Sequence, residues 1–192
     1  MALNSKSGDT LLRLWLLVHR VRDGLVLCED SIFGKYELTT EKYSVLAAVK
    51  SRGGSLKPIE LATILARSPN SISMLVDRMV KAGWVKRTRD RKDRRGVNVS
   101  LTSKGEKAVG PASQVGWEFI QKILSPLSDK DKQALTGMLE VLKCEVDGYL
   151  NPEADMTKII KNSYTKQPGL YERMVKNIFP SPSEAKRKGS EK

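Results

Sequence analysis

The chain has 192 residues, 40% of them apolar, and a formal net charge of +12. That length supports one buried core with appendages, and an excess of positive charge on this scale points to a polyanionic partner. Two cysteines and one histidine are too few for a disulfide framework or a zinc cluster, and the sequence holds no Gly-rich phosphate loop or catalytic nucleophile–base set.

The chain opens with polar MALNSKSGDT. The apolar run from Leu11 to Val18 is interrupted by Arg13 and is too short for a membrane span or a secretory leader. The expectation is a cytoplasmic protein with no membrane partner and no cofactor. Leu11, Leu14, Trp15, Val18, Val21 and Leu25 recur at helical spacing, which predicts an amphipathic helix over about residues 9–29. Cys28 to Ser31 then begins a connector that contains Gly34. Cys28 sits beside Glu29 and Asp30, whose charges disfavour a thiolate, so neither it nor Cys144 reads as a redox sensor.

Thr39 or Thr40 caps a second helix with Tyr43, Leu46, Ala47 and Lys50 on one face. Arg52-Gly53-Gly54 ends it. Pro58 suits the first turn of a third helix with Ile59, Ala62 and Leu65 facing inward. Ser68 caps a fourth, Pro69 takes its first position, and Ile72, Leu75, Val76 and Met79 form its buried stripe. Gly83 terminates it. Two short helices joined by a tight turn, the second sharply capped, are a helix-turn-helix pattern.

A hairpin follows. Val97, Val99 and Leu101 alternate with polar residues as a half-buried strand, and its partner runs from about Trp84 to Arg89. Six of the seven loop residues from Asp90 to Gly96 are charged. From Lys81 to Lys107 there are ten Lys/Arg, half of them arginine, against three Asp/Glu. More than half of the net charge therefore lies in a seventh of the sequence. A capped helix beside a basic hairpin suits duplex DNA: a probe for the major groove, and a finger for the backbone or minor groove.

Ser103-x-x-Glu106 reads as a capping box opening a fifth helix, with Pro111 a kink point and Val115, Phe119, Ile120, Ile123 and Leu127 on its apolar face. After Pro126, Ser128 caps a sixth helix. Its Leu135, Leu139, Leu142, Val146 and Tyr149 form a coiled-coil-like seam. Asn151-Pro152 closes the compact region. Residues 151–192 are thinner in apolar content and predict one or two short helices and a disordered end from Pro180. Swapping onto a partner subunit, covering a cleft and simple solvation are all open for this tail.

Several strings resemble the MarR family of winged helix-turn-helix regulators. They are Leu38-Thr39 with Tyr43 and Leu46, Glu60-Leu61-Ala62, Ser73 to Met79, Lys81 to Val85, Asp90 to Arg95, and Val99 to Gly105. The resemblance spans about residues 9–150. It implies a mostly α fold with a small β-hairpin wing. It places a dimerisation helix in residues 1–36, the winged helix-turn-helix in 37–102 and further dimerisation helices in 103–150. It also implies a homodimer on a pseudopalindromic operator, regulating a nearby promoter, more often as a repressor. Met74 stands where the family often carries a basic residue, and the tail is longer than usual.

On this reading Asn70, Ser71 and Ser73 approach base edges from the first turns of the fourth helix, where free backbone N–H groups also favour phosphate. Met74 offers apolar contact to a thymine methyl. Arg78, Lys81 and Arg89 reach the backbone, as do Arg91, Lys92 and Arg94 in the loop. The resemblance implies that Asp93 steadies Arg95 in the minor groove, where narrow A·T-rich segments concentrate negative potential. Asp77 and the buried end of the wing are the candidate partners for Arg94. Family members often respond to small aromatic acids, for which Trp15, His19 and Tyr43 are the candidate cleft residues. Trp15 as core and His19 as an interface side chain is the competing assignment. The alternative function is sequence-independent architectural DNA or RNA binding, which would lean on stacking aromatics; the basic region offers only Trp84.

Overall fold

In the computed structural model, residues 5–89 and 96–150 are described. The elements run α1 (Ser5–Gly34), α2 (Thr40–Ser51), β1 (Ser55–Leu56), α3 (Pro58–Ile64), α4 (Pro69–Lys81), β2 (Val85–Arg89), β3 (Val97–Leu101), α5 (Ser103–Leu124) and α6 (Asp129–Leu150). The fold is mostly helical with a three-stranded antiparallel sheet ordered β1-β3-β2. Among the described residues, no helix is long and apolar enough to cross a membrane. The short helices expected after residue 151, the disordered end expected from Pro180 and the charged wing tip lie outside the described residues.

The core is built by the middle of the chain. Val45, Leu46 and Val49 of α2 meet Leu61 of α3, Ile72, Val76 and Met79 of α4, Val85, Val99 and Leu101 of the sheet, and Val109 and Ala112 of α5. Phe33 and Leu38, flanking the α1–α2 turn, join the same cluster. The α1 helix therefore does not stop at Cys28. It continues to Gly34 because Ile32 and Phe33 pack into this core.

Each helix of the central unit starts on a satisfied cap. The Thr39 hydroxyl accepts from Lys42 N–H at 3.3 Å. Pro58 begins α3, while Glu60 Oε2 accepts from the Lys57 backbone N–H at 2.8 Å. The Ser68 hydroxyl accepts from Ser71 N–H at 3.1 Å, with Pro69 in the first position of α4. The Thr39 and Ser68 caps each contribute about 1 kcal/mol to helices this short.

Three expectations are corrected. Ile59 does not face inward: it is exposed, and Leu61 and Ala62 carry the buried side of α3 instead. Ser103 is not the cap of α5; Thr102 is, its hydroxyl accepting from Gly105 N–H at 3.2 Å. Glu106 closes no capping box and pairs with Lys50 of α2. Val97 stays exposed, at the wing end of β3, while Val99 and Leu101 are buried.

Thr102 does more than cap. Its hydroxyl donates to the carbonyls of Gly83 and Trp84, at 2.6 and 3.0 Å, and its N–H donates to Trp84 O at 3.2 Å. The exit of the wing is thus sewn to the end of α4. Gly105 packs so closely on the Trp84 carbonyl that a side chain there would collide with it. This is the physical content of the Leu101-Thr102-x-x-Gly105 string.

The ends of the chain differ from its middle. No residue of α6 is buried. The first half of α1 exposes Leu11, Leu12, Leu14, Trp15, Leu16, Leu17 and Val18.

Candidate nucleic-acid interface

The four buried residues of α4 fix which of its residues face out. At 100° per residue, Asn70, Met74, Asp77 and Lys81 form one outward line opposite Ile72, Leu75, Val76 and Met79. Ser73 flanks this line on one side, and Ser71 and Arg78 on the other. Asn70, Met74, Asp77, Arg78 and Lys81 are all exposed. Asn70 and Ser73 have no side-chain hydrogen bond, and Arg78 and Lys81 no ion pair, among the described residues. The Ser71 hydroxyl is already engaged, lying 2.8 Å from Ser68 Oγ within the cap.

A left-handed turn at Gly83 (φ +74°) ends α4. Trp84 N–H reaches Met79 O at 2.9 Å and Gly83 N–H reaches Val80 O at 3.0 Å, the double bond that a glycine at this position permits. The chain then reverses directly into β2, which places the wing beside α4.

In the wing the register pairs Val85 with Leu101, Arg87 with Val99 and Arg89 with Val97. Val85, Arg87 and Arg89 therefore leave the same face of the sheet, the face that covers the core. The other face carries hydroxyls: Ser100 Oγ donates to Ser55 Oγ at 3.2 Å and lies 3.3 Å from Thr88 Oγ1. Arg89 is exposed at the end of β2 without an ion-pair partner among the described residues. Arg91, Lys92, Asp93, Arg94 and Arg95 lie outside the described residues.

Asp77 is held by Arg87, whose Nη2 lies 2.6 Å from its Oδ1. The sequence alone offers Arg94, which lies outside the described residues, and gives no weight to Arg87. The available signal is the alternation of β2, which puts Arg87 two residues from buried Val85 on the α4 side.

The candidate effector residues are spread out. Trp15 and His19 sit edge to face, 4.6 Å between ring centroids, on the exposed half of α1. Tyr43 stacks on Phe33 at 4.1 Å and its hydroxyl lies 3.1 Å from Ser113 Oγ. Burial pushes the Tyr43 hydroxyl above its ordinary pKa, opposed by the Ser113 hydrogen bond. Phe33 is eighteen residues beyond Trp15, roughly 27 Å along one helix, so a single chain does not bring Tyr43 to the other two. A separate cavity of about 340 Å³ lies between α4 and the start of α2, with Arg67 and Arg78 on its walls and Leu65, Ile72 and Leu75 as apolar lining.

Comparison with known proteins decides the family. Residues 36–96 match the MarR family model. The regulator PecS of Dickeya dadantii is 30% identical over 132 residues, covering 68% of this chain and 75% of PecS. The chain belongs to the MarR family. It is a DNA-binding transcriptional regulator by kinship, and the relatives it matches are regulators rather than enzymes. Its fold is that of a mutant MarR from E. coli solved with operator DNA, with a TM-score of 0.63 at 24% identity over 70% of this chain and 96% of that one. It is also that of the organohalide-sensing regulator RdhR-CbdbA1625 with bound 2,4-dichlorophenol, with a TM-score of 0.69 at 20% identity over 80% and 90% of the two chains.

Proposed function

We propose that this MarR-family chain acts as a cytoplasmic homodimeric repressor on a pseudopalindromic operator, with α4 in the major groove and the wing arginine Arg95 in the minor groove. The observation that carries this reading is the shared exposure of the outward line of α4 and the adjoining end of β2. Asn70 and Met74 stand there among Arg78, Lys81 and Arg89, cations with no ion-pair partner among the described residues. Small side chains near the helix start let it sink toward base edges, and the cations neutralise phosphate on either side.

Dimerisation is supported by apolar surface that one chain leaves open. Leu135, Met138, Leu139, Val141, Leu142 and Val146 on α6 and the apolar first half of α1 are exposed together. A helix that buries nothing gains little from propensity alone, and patches of this extent mark association surfaces. A second copy covers them with the same residues, as a twofold interface requires. Two reading heads then face successive turns of the duplex. Occupying a promoter in this way blocks transcription.

Release by a small aromatic ligand is supported by the dichlorophenol bound to RdhR-CbdbA1625. The cavity beside α4 offers an aromatic acid Arg78 and an apolar lining, with Arg67 on the same wall held by Glu41 at 3.2 Å. Sequence-independent binding loses its one aromatic candidate. Trp84 is buried, with Lys104 Nζ 3.9 Å over its ring, and is not free to stack on a base.

Sedimentation equilibrium combined with footprinting on a selected duplex tests the reading. A dimer that protects two patches about one helical turn apart supports it. A monomer protecting no defined site overturns it.

A further inference from the structure

Asp77 is out of place by two criteria. It lies on the outward line of α4, where a bare carboxylate repels phosphate, and in the later half of the helix, where the dipole disfavours negative charge. Its partner answers both. Arg87 leaves the α4 side of β2, between buried Val85 and exposed Arg89, and is itself paired across the sheet with buried Val99. Its guanidinium reaches Asp77 Oδ1 at 2.6 Å, and both side chains remain partly exposed, at 39% for Arg87 and 57% for Asp77.

We propose that Asp77 and Arg87 form a positioning brace that sets the wing against the recognition helix and so determines operator specificity. The inference rests on the DNA-reading assignment above and deepens it. The pair is a cross-tie between the two elements that enter different grooves. It joins them just before Arg89 and the charged loop. With the tie closed, the wing cations approach DNA at one fixed angle to α4. With it open, the hairpin pivots on its base at Trp84 and Thr102, and the same cations find phosphates without register. Arg87 is thus spent on the protein, and its charge does not count toward the salt-sensitive attraction. A surface ion pair contributes little to folding, so its effect belongs in DNA selectivity rather than in stability.

A double-mutant cycle on the full-length protein reads this directly. Asp77→Asn, Arg87→Gln and the double variant are titrated by fluorescence anisotropy against a duplex recovered by library selection and against a random duplex of equal length. Circular dichroism melts confirm folding. The brace predicts that each single variant lowers the operator-over-random ratio by about three- to fivefold. The double variant falls no further than either single one, because the tie can be cut only once. Asp77→Asn alone also binds random DNA more tightly, with a steeper salt dependence, since it frees a cation. Base preferences at the motif edges weaken in all three. Unchanged ratios, or losses that multiply in the double variant, overturn the brace. If the wild-type protein itself shows no preference between the two duplexes, the DNA-reading assignment falls and takes the brace with it.

Discussion

Asp30 of α1 accepts two hydrogen bonds from Thr40 at the start of α2, one from its backbone N–H at 2.6 Å and one from its hydroxyl at 2.7 Å. This carboxylate fastens the long first helix to the winged unit. It also satisfies an N–H that the α2 start would otherwise leave open, at the end of the dipole that favours an anion. Removing it should loosen the joint. Asp30→Ala should cost about 1–2 kcal/mol in urea unfolding at fixed protein concentration. An unchanged midpoint would show that Thr39 alone suffices as the cap.

The same joint has an acid dependence with two opposing signs. The Thr40 N–H, and then its hydroxyl, hold Asp30 below the ordinary carboxylate value of 3.8. Its contribution is complete above that value and disappears as the pH falls through the lowered folded value. Glu29 moves the other way. Burial, then the charge of Asp30, raise it above 4.5. Its ionised form is penalised in the folded chain, and that penalty grows as the pH rises from 4.5 through the raised value. Glu29→Gln should therefore raise the unfolding midpoint at pH 7. The advantage should shrink to nothing as the pH is taken below 4.5. A pH-independent difference would contradict this.

Three glycines should respond differently to alanine. Gly105 has the Trp84 carbonyl in the way, so Gly105→Ala should destabilise by about 1–3 kcal/mol. Gly83 holds a positive φ at the helix end, and Gly83→Ala should cost about 1 kcal/mol. Gly137 lies inside α6 with open space around it and no proline beside it. Gly137→Ala should stabilise by about 0.5–1 kcal/mol. Thermal melts of the three variants check the ranking; equal effects would refute it.

On the DNA side, Lys81 and Arg89 have distinct expected roles from Asn70. Lys81→Ala and Arg89→Ala should each lower the salt slope of operator binding by about one unit. Asn70→Ala should leave the slope alone and cost about 1–3 kcal/mol on the selected site only. Titrations at several salt concentrations separate the two behaviours. A slope change with Asn70→Ala would move it from base reading to phosphate contact.

Much of the fold is legible in the sequence because its punctuation is chemical. Ser68-Pro69 and Gly83 bracket α4 by capping and by a left-handed turn, and its buried stripe follows from spacing alone. Other features depend on tertiary partners and leave no local trace. The two-residue β1 exists only through its pairing with β3. Ile59 is apolar yet exposed, because a seven-residue α3 has room for one buried face, and Leu61 takes it. Thr102 and Ser103 are neighbouring hydroxyls, and the choice between them is made by the carbonyls of Gly83 and Trp84. Glu29 and Asp30 read locally as a connector, but a helix continues through them because Phe33 has a core to enter. At the candidate site, the outward residues of α4 can be read from periodicity. The partner of Asp77 cannot, since the β2 register decides which wing cation comes within reach.

Selection of bound sequences from a randomised duplex library by the purified full-length protein tests the central claim most directly. The account predicts one enriched motif of twofold symmetry, its half-sites about one helical turn apart and its edges rich in A·T pairs. An unenriched pool, or a motif without symmetry, would contradict it.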